Sequence, residues 1–422
     1  MIDSLEIKRF RSIQEEKIDF GDINILIGRN NSGKSTVLYA MDLLINNFGE
    51  SFAFDNAETD MGNLPTNVFK NENSGEVSFD IRFDFNQDEL DLIRSNLESD
   101  GQDIDDLSFL GVTSSIPVSI NIENGSVNEV QISSEIYGDN GTFITSDSNE
   151  ESDPILDDSA INQEFPPLPK SGTTQRVNEY NNIRELFRNL KNNKFFYIHP
   201  DRLQENRNRE ITKDPRHRDV GESGRFVTDV MAYNRDYADM KNNFDEALNW
   251  IKKFGFDEPK AKIESGAIHS LQLVDEDLDV QTNVLDIGSG SNQLVSLITQ
   301  SFFAPYQSIM LVEEPEIHLH PKYQAKLADF FIAAQEFGDH QFFLETHSQH
   351  LLTRLQLRVA EEKIDPSQIG LFYFDKDEEG THINQIQIDR DGDVGEPIPE
   401  FFEQDFDDVM DRMNAIREKK NE

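Results

Sequence analysis

The sequence has no cysteine, one tryptophan and 39 basic residues in 422, of which 19 are lysine and 20 arginine. Without cysteine there are no disulfides, thiolate zinc sites, iron–sulfur clusters or cysteine nucleophiles, so any catalysis rests on other groups. No run of 18 apolar residues occurs, and the opening Met1–Phe10 alternates acidic and apolar residues, so neither a membrane-spanning helix nor a signal segment is expected. The chain is expected in the cytoplasm, with no membrane partner.

Positive charge is the scarcest commodity: 81 Asp and Glu against 39 Lys and Arg give a formal charge of −42. A polyanion of this size repels nucleic acid and anionic lipid on average, which excludes a whole-surface basic binder. DNA contact would need a local basic island or high salt. The acidity also predicts a halophilic source, because the Debye length falls to about 3 Å at 1 M salt and self-repulsion then becomes tolerable. What is plentiful is core material: 36% of residues are hydrophobic, including 31 Phe, enough for two or three domains.

Ser4–Phe10 alternates as a strand does, and Ile23–Ile27 is a short apolar run that stops at glycine, as a buried strand does. A helix is expected from Ser35 to about Phe48, with Val37, Leu38, Met41, Leu43, Leu44 and Ile45 on one broad face. Alternation at Val77–Phe85 and Val118–Ile122, the latter before Asn124-Gly125, predicts an antiparallel β section over 75–137. The acidic, Ser- and Pro-rich stretch after Tyr137 lacks periodicity and is expected as a flexible insertion over 137–178. Residues 184–225 carry 11 Lys or Arg against 7 Asp or Glu. Such a basic island is either a solvated helix and loop or a nucleic-acid contact. The resulting division is 1–136 and 259–390 as two halves of one head, 137–178 as the insertion, 179–258 as a helical arm and 391–422 as a tail helix.

Gly28-Arg29-Asn30-Asn31-Ser32-Gly33-Lys34-Ser35-Thr36 fits GxxxxGK[ST] between a predicted strand and a predicted helix, the context that phosphate cradle requires. Glycines let successive backbone N–H groups turn inward on a phosphate, and the helix dipole adds positive potential. Lys34 would reach the β- and γ-phosphates, and the Ser35 hydroxyl would be a ligand of Mg²⁺. Ser308–Glu316 is an apolar strand that ends abruptly in carboxylates and reads as Walker B. Glu313 is assigned to the Mg²⁺ and Glu314 to polarising the attacking water. His347 follows another apolar strand; in a parallel sheet the strand ends share one rim, so it could lie beside those carboxylates. Ser289 and Gly290 open a further helix at a Gly/Ser turn, Gly288–Gln293, which offers a second helix N-terminus to a phosphate.

In this order of elements the chain resembles the ABC-type ATPases, specifically their SMC-like and RecF/OLD-like branch. The resemblance rests on LEIKRFRSI…IDFGDINILIGRNNSGKST, FFYIHPDR, DIGSGSNQLVSLI, LVEEPEIHLHPKYQAKLADFF and LETHSQHLL. It implies an α/β P-loop head with an antiparallel β section and a helical insertion. It also implies ATP and Mg²⁺ as ligands and a homodimer in which Ser289 and Gly290 meet the γ-phosphate held by the other copy. Glu316–His320 would form the loop that communicates across the dimer, and His347 would be the switch histidine. GSGSNQ differs from the LSGGQ of transporter ATPases, and Glu313 stands where many relatives have Asp. Gln87 and Gln131 are the candidates for the Mg²⁺-sensing glutamine. OLD-like relatives continue into a TOPRIM nuclease domain, whereas Asp375–Gly380 reads here as a solvated hairpin turn. The implied function is an ATPase working with a separate effector, such as a nuclease, in antiphage defence or DNA repair. The alternative is a nucleotide-dependent scaffold or antitoxin-like regulator with slow hydrolysis.

Overall fold

A computed structural model describes residues 1–47, 68–71, 75–84, 113–123, 126–134, 141–146, 190–191, 193–200, 209–210, 218–221, 224, 226–234, 238–256, 260–264, 268–275, 280–283, 289–395, 398 and 412–413. The chain begins with β1 (Ile2–Phe10), β2 (Ile13–Asp19) and β3 (Ile23–Gly28), and then α1 (Lys34–Asn47). An antiparallel run follows: β4 (Gly75–Asp84), β5 (Thr113–Glu123), β6 (Ser126–Ser134) and β7 (Gly141–Ser146). Next come β8 (Phe195–Ile198), β9 (Arg209–Glu210), α2 (Val227–Asn234), α3 (Lys241–Lys253), β10 (Lys260–Glu264), β11 (Ile268–Asp275) and β12 (Val280–Asn283). The last part alternates: α4 (Ser289–Phe303), β13 (Ile309–Glu313), α5 (Pro321–Gly338), β14 (Gln341–Glu345), α6 (Gln349–Ala360), β15 (Ile369–Lys376) and β16 (Thr381–Ile386).

The site-bearing sheet has the order β16-β15-β3-β14-β13-β8. All its pairings are parallel except β15–β16. The strands β3, β8, β13 and β14 are buried at every residue, which is why they read as unbroken apolar runs. Because side chains alternate between faces, the sheet feeds two cores. Ile23, Ile25, Met310, Val312, Phe342 and Leu344 pack under α2 to α6. Leu26, Phe195, Tyr197, Ile309, Leu311 and Phe343 point the other way, toward α1 and the β1 and β4 side chains of the antiparallel sheet. The same parity sends Glu313 and Glu345 toward the α1 side.

Two further sheets complete the described residues. One has the order β2-β1-β4-β5-β6-β7, and the other joins β10, β11 and β12, with β9 also on β11. The expected antiparallel section therefore extends past 137. Gly141–Ser146 pairs with β6 even though it lies in the stretch expected to be an irregular insertion. The Thr, Phe and Ile of that short segment favour a pleated strand, and the acidic, Ser-rich composition after it masked the signal. A second difference concerns the expected helical arm, 179–258. Its Phe195–Ile198 is the edge strand of the parallel sheet, so the basic island is interrupted by core. Most of the island and of the tail helix, and all of Gln87, lie outside the described residues. Gln131 is on β6, three strands from β1 in sheet order.

Candidate nucleotide and metal site

Parallel pairing brings the ends of β3, β14 and β13 level. Leu26 is opposite Glu345, and Glu345 is opposite Glu313. The loop leaving β3 carries positive φ at Gly28 (147°), Asn31 (63°) and Gly33 (107°). A Cβ at Gly28 would lie 2.4 Å from the Phe374 carbonyl oxygen, and one at Gly33 would lie 2.5 Å from Thr381 Oγ1. Both positions therefore require glycine for space as well as for φ. Thr381 fastens the loop from outside: its hydroxyl bonds the Ser32 carbonyl at 2.8 Å and Ser12 Oγ at 2.8 Å. Arg29, Asn30 and Asn31 are exposed, whereas Ser32, Lys34 and Thr36 are buried.

The Lys34 ammonium donates to the carbonyls of Gly28 (3.1 Å) and Arg29 (2.8 Å) and lies 3.8 Å from Glu345 Oε1. Burial lowers its pKa, and the charges of Glu345, Glu314 and Glu316 oppose that shift. Ser35 donates to Glu345 Oε2 at 2.7 Å. Burial raises the Glu345 pKa, with Ser35 and Lys34 pulling it back. Glu313 accepts a hydrogen bond from the buried Tyr197 hydroxyl. Desolvation and the Glu313 charge push that phenol well above its usual pKa, so it remains a donor.

Glu314 follows the strand with φ 43° and donates its N–H to the Glu345 carbonyl at 2.8 Å. A left-handed backbone at a charged, non-glycine residue costs energy, and such conformations concentrate at functional sites. Glu316 accepts the His347 backbone N–H. Its second oxygen, Oε2, is buried without a hydrogen-bond partner, and burial raises its pKa. The His347 side chain is exposed, and partial desolvation together with the Lys34 charge lowers its pKa. Lys34, Ser35, Glu313, Glu314 and His347 thus converge on one rim, as the sequence motifs imply. Ser289 and Gly290 open α4 two residues earlier than the expected Ser291 start. Two residues escaped the motif reading. Glu345 ends the apolar run Phe342-Phe343-Leu344, the same signal that marked Glu313. Tyr197 is the single polar-tipped residue of the strand FFYI.

A cavity of about 590 Å³ opens beside the loop, lined among others by Arg11, Lys34, Tyr39, Phe69, Glu345 and Asp377. The Arg11 guanidinium lies 4.5 Å from the Tyr39 ring centroid, and burial and the Glu313 charge raise the Tyr39 pKa to about 12. The residues fit a triphosphate: the loop is glycine-shaped, its lysine is buried beside it, and the buried Ser32 hydroxyl has no partner. They also fit Mg²⁺, which takes one or two carboxylates and keeps several waters. Among the described residues no three His, Asp or Glu side chains form a closed metal cage. Among them also no helix is long and apolar enough to cross a membrane.

A parallel sheet with a phosphate-binding loop between β3 and α1, and carboxylates on the neighbouring strand ends, defines a P-loop α/β domain. The chain belongs to the AAA ATPase domain family, whose model matches residues 1–352. It is 46% identical over 46 residues to uncharacterized protein MJECL10 of Methanocaldococcus jannaschii, a stretch covering 11% of this chain and 21% of that protein. Among solved structures it is similar to the Smc head domain with an extended coiled coil, bound to the C-terminal domain of ScpA, from Pyrococcus furiosus. That match has 11% identity, covers 99% of both chains and has a TM-score of 0.49. It is also similar to the SMC head domain from Thermotoga maritima, at 13% identity, 92% of this chain, 99% of that one and a TM-score of 0.43.

Proposed function

We propose that this chain is an ABC-type ATPase of the SMC-like and RecF/OLD-like branch, which binds ATP with Mg²⁺ in the Gly28–Thr36 loop and hydrolyses it between two head-to-head copies. The observation that carries the reading is the convergence on one rim of a buried Lys34 and the strand-end carboxylates Glu313, Glu314 and Glu345. In that arrangement Lys34 neutralises phosphate oxygens, and Glu314, the strained carboxylate beside the strand end, orients and deprotonates water. The exposed His347 is placed to meet the γ-phosphate, with its backbone anchored by Glu316. Bound Mg²⁺ would neutralise charge across the β- and γ-phosphates; Ser35 with Glu313 or its neighbour would hold it.

Ser289 and Gly290, at the N-terminus of α4, would act on nucleotide held by the other copy. A phosphate gripped by two copies makes ATP a crosslink and hydrolysis its release. Resemblance to the same branch supports a separate effector protein and a role in antiphage defence or DNA repair. Residues 184–225 are the segment through which nucleic acid would be met.

Phosphate release measured in molar KCl, with and without duplex DNA, tests the enzyme reading. Turnover that Lys34→Ala abolishes is expected; no turnover, or turnover unchanged in Lys34→Ala, overturns it. For the dimer, Glu314→Gln with saturating ATP should elute earlier in size exclusion than without ATP. An unchanged elution volume counts against two copies sharing the nucleotide.

A further inference from the structure

We propose that Glu345, the last residue of β14, is the carboxylate that holds Mg²⁺ against the Ser35 hydroxyl, an assignment that rests on the nucleotide site proposed above. The sequence motif assigns this role to Glu313, and three observations favour Glu345. The first is sheet order: β14 lies between β3, which leads into the phosphate loop, and β13, which ends in Glu313. Glu345 is therefore one strand from the loop and Glu313 is two, a difference of about 4.8 Å across a sheet.

The second is the contact itself. Ser35 Oγ donates to Glu345 Oε2 at 2.7 Å, so the hydroxyl and the carboxylate that would share a cation are already joined. Mg²⁺ commonly sits between such oxygens, directly or through its retained waters. The third is the state of Glu313: one of its oxygens accepts the hydrogen bond of the buried Tyr197 hydroxyl, donated from β8 on the side away from β14. That bond orients Glu313 as a neighbour of the site. Charge supports the same reading. Glu313 and Glu345 are paired in register on one face, both buried, and Glu316 Oε2 is buried without a partner. Lys34 is the cation placed among them, so a divalent ion would relieve a local excess of negative charge.

The experiment titrates Mg²⁺ into the full-length protein with a fluorescent nonhydrolysable ATP analogue, reading bound analogue by anisotropy. Direct metal binding is read in parallel from the electron paramagnetic resonance of Mn²⁺. Glu345→Gln should raise the Mg²⁺ and Mn²⁺ midpoints about 10- to 100-fold, as loss of a ligand-side carboxylate does. Glu313→Gln should raise them less. Metal-free binding of the analogue should be retained or tightened in Glu345→Gln, because Lys34 loses a competing carboxylate. In the double variant Ser35→Ala/Glu345→Gln, the shift should be smaller than the product of the single shifts, since the two groups act on one ion. If Glu345→Gln does not fold, Glu345→Asp carries the test, with a midpoint between wild type and the larger shifts. A midpoint for Glu345→Gln or Glu345→Asp within about twofold of wild type, or a larger shift in Glu313→Gln than in Glu345→Gln, overturns the assignment. Wild-type protein that binds no analogue would instead remove the nucleotide reading beneath it.

Discussion

Replacing Tyr197 with Phe deletes one oxygen from the strand beside β13 and tests how the acidic rim is held. Phe has nearly the same volume, so no cavity opens. What is lost is the hydrogen bond to Glu313, a carboxylate 8% exposed, from a phenol 3% exposed. A hydrogen bond to a charged, buried acceptor contributes about 1.5–3 kcal/mol, and its loss leaves that acceptor less well satisfied. The expected destabilisation of Tyr197→Phe is therefore about 2 kcal/mol. Because both groups are out of solvent, the loss should persist in molar KCl, where surface ion pairs fade. Urea unfolding followed by fluorescence of Trp250, the chain's single tryptophan, is a suitable assay. That ring is buried under the same sheet, 5.5 Å from Phe330. The midpoint should fall with no change in slope. Adding Glu313→Gln completes a cycle in which the two substitutions are non-additive. A loss below roughly 0.5 kcal/mol, or an additive cycle, would refute the claim that Tyr197 holds Glu313.

His340 gives a pH prediction. Its ring is fully buried, with Nε2 3.0 Å from the Ser301 carbonyl, and desolvation lowers its pKa from 6.5 to about 4. The folded state keeps it neutral, so the unfolded chain binds the extra proton. Stability from this group is complete above pH 6.5 and declines as pH falls toward 4, by on the order of 3 kcal/mol. Unfolding titrations at several pH values should show uptake of one proton across that window, and a flat profile would contradict it. Gly33→Ala forces a methyl to within 2.5 Å of Thr381 Oγ1 at a backbone φ of 107°. Affinity for an ATP analogue should drop at least about tenfold, since strain of this kind costs about 1–3 kcal/mol. With a formal charge of −42, the melting temperature should rise between about 0.1 M and about 1 M KCl as repulsion is screened. A melting temperature insensitive to salt would sink the halophilic reading.

The parts of this fold visible in the sequence are those set by local rules. Ile23–Ile27, the glycine-bounded loop and the apolar face of α1 occupy consecutive residues, and their geometry follows from burial, positive φ and helical period. The same holds for Ile309–Glu313, Phe342–Glu345 and Gly370–Phe374, whose unbroken apolar character comes from burial on both faces. Other parts depend on distant partners. Phe195–Ile198 is only four residues long and lies within a basic segment, and its place in the core is set by pairing with β13, more than a hundred residues away. Gly141–Ser146 is a strand because β6 offers an edge. Its composition alone gives little reason to separate it from the acidic stretch that follows.

Strand order is the clearest case, because it decides which charge stands beside the phosphate loop. Read along the chain, the loop and the Walker B strand are the two chemical landmarks, and it is natural to place their carboxylate and hydroxyl together. The sheet inserts β14 between them. Ser35 thus meets a carboxylate 310 residues away, Glu345, while Glu313 turns to Tyr197 on the far side. Every residue in that exchange has the alternation parity that its strand dictates, so local structure fixes which face each side chain takes. Pairing between strands fixes which neighbour it finds there. A chain with the same motifs but β13 next to β3 would bring Glu313 to Ser35 and leave residue 345 outside the site.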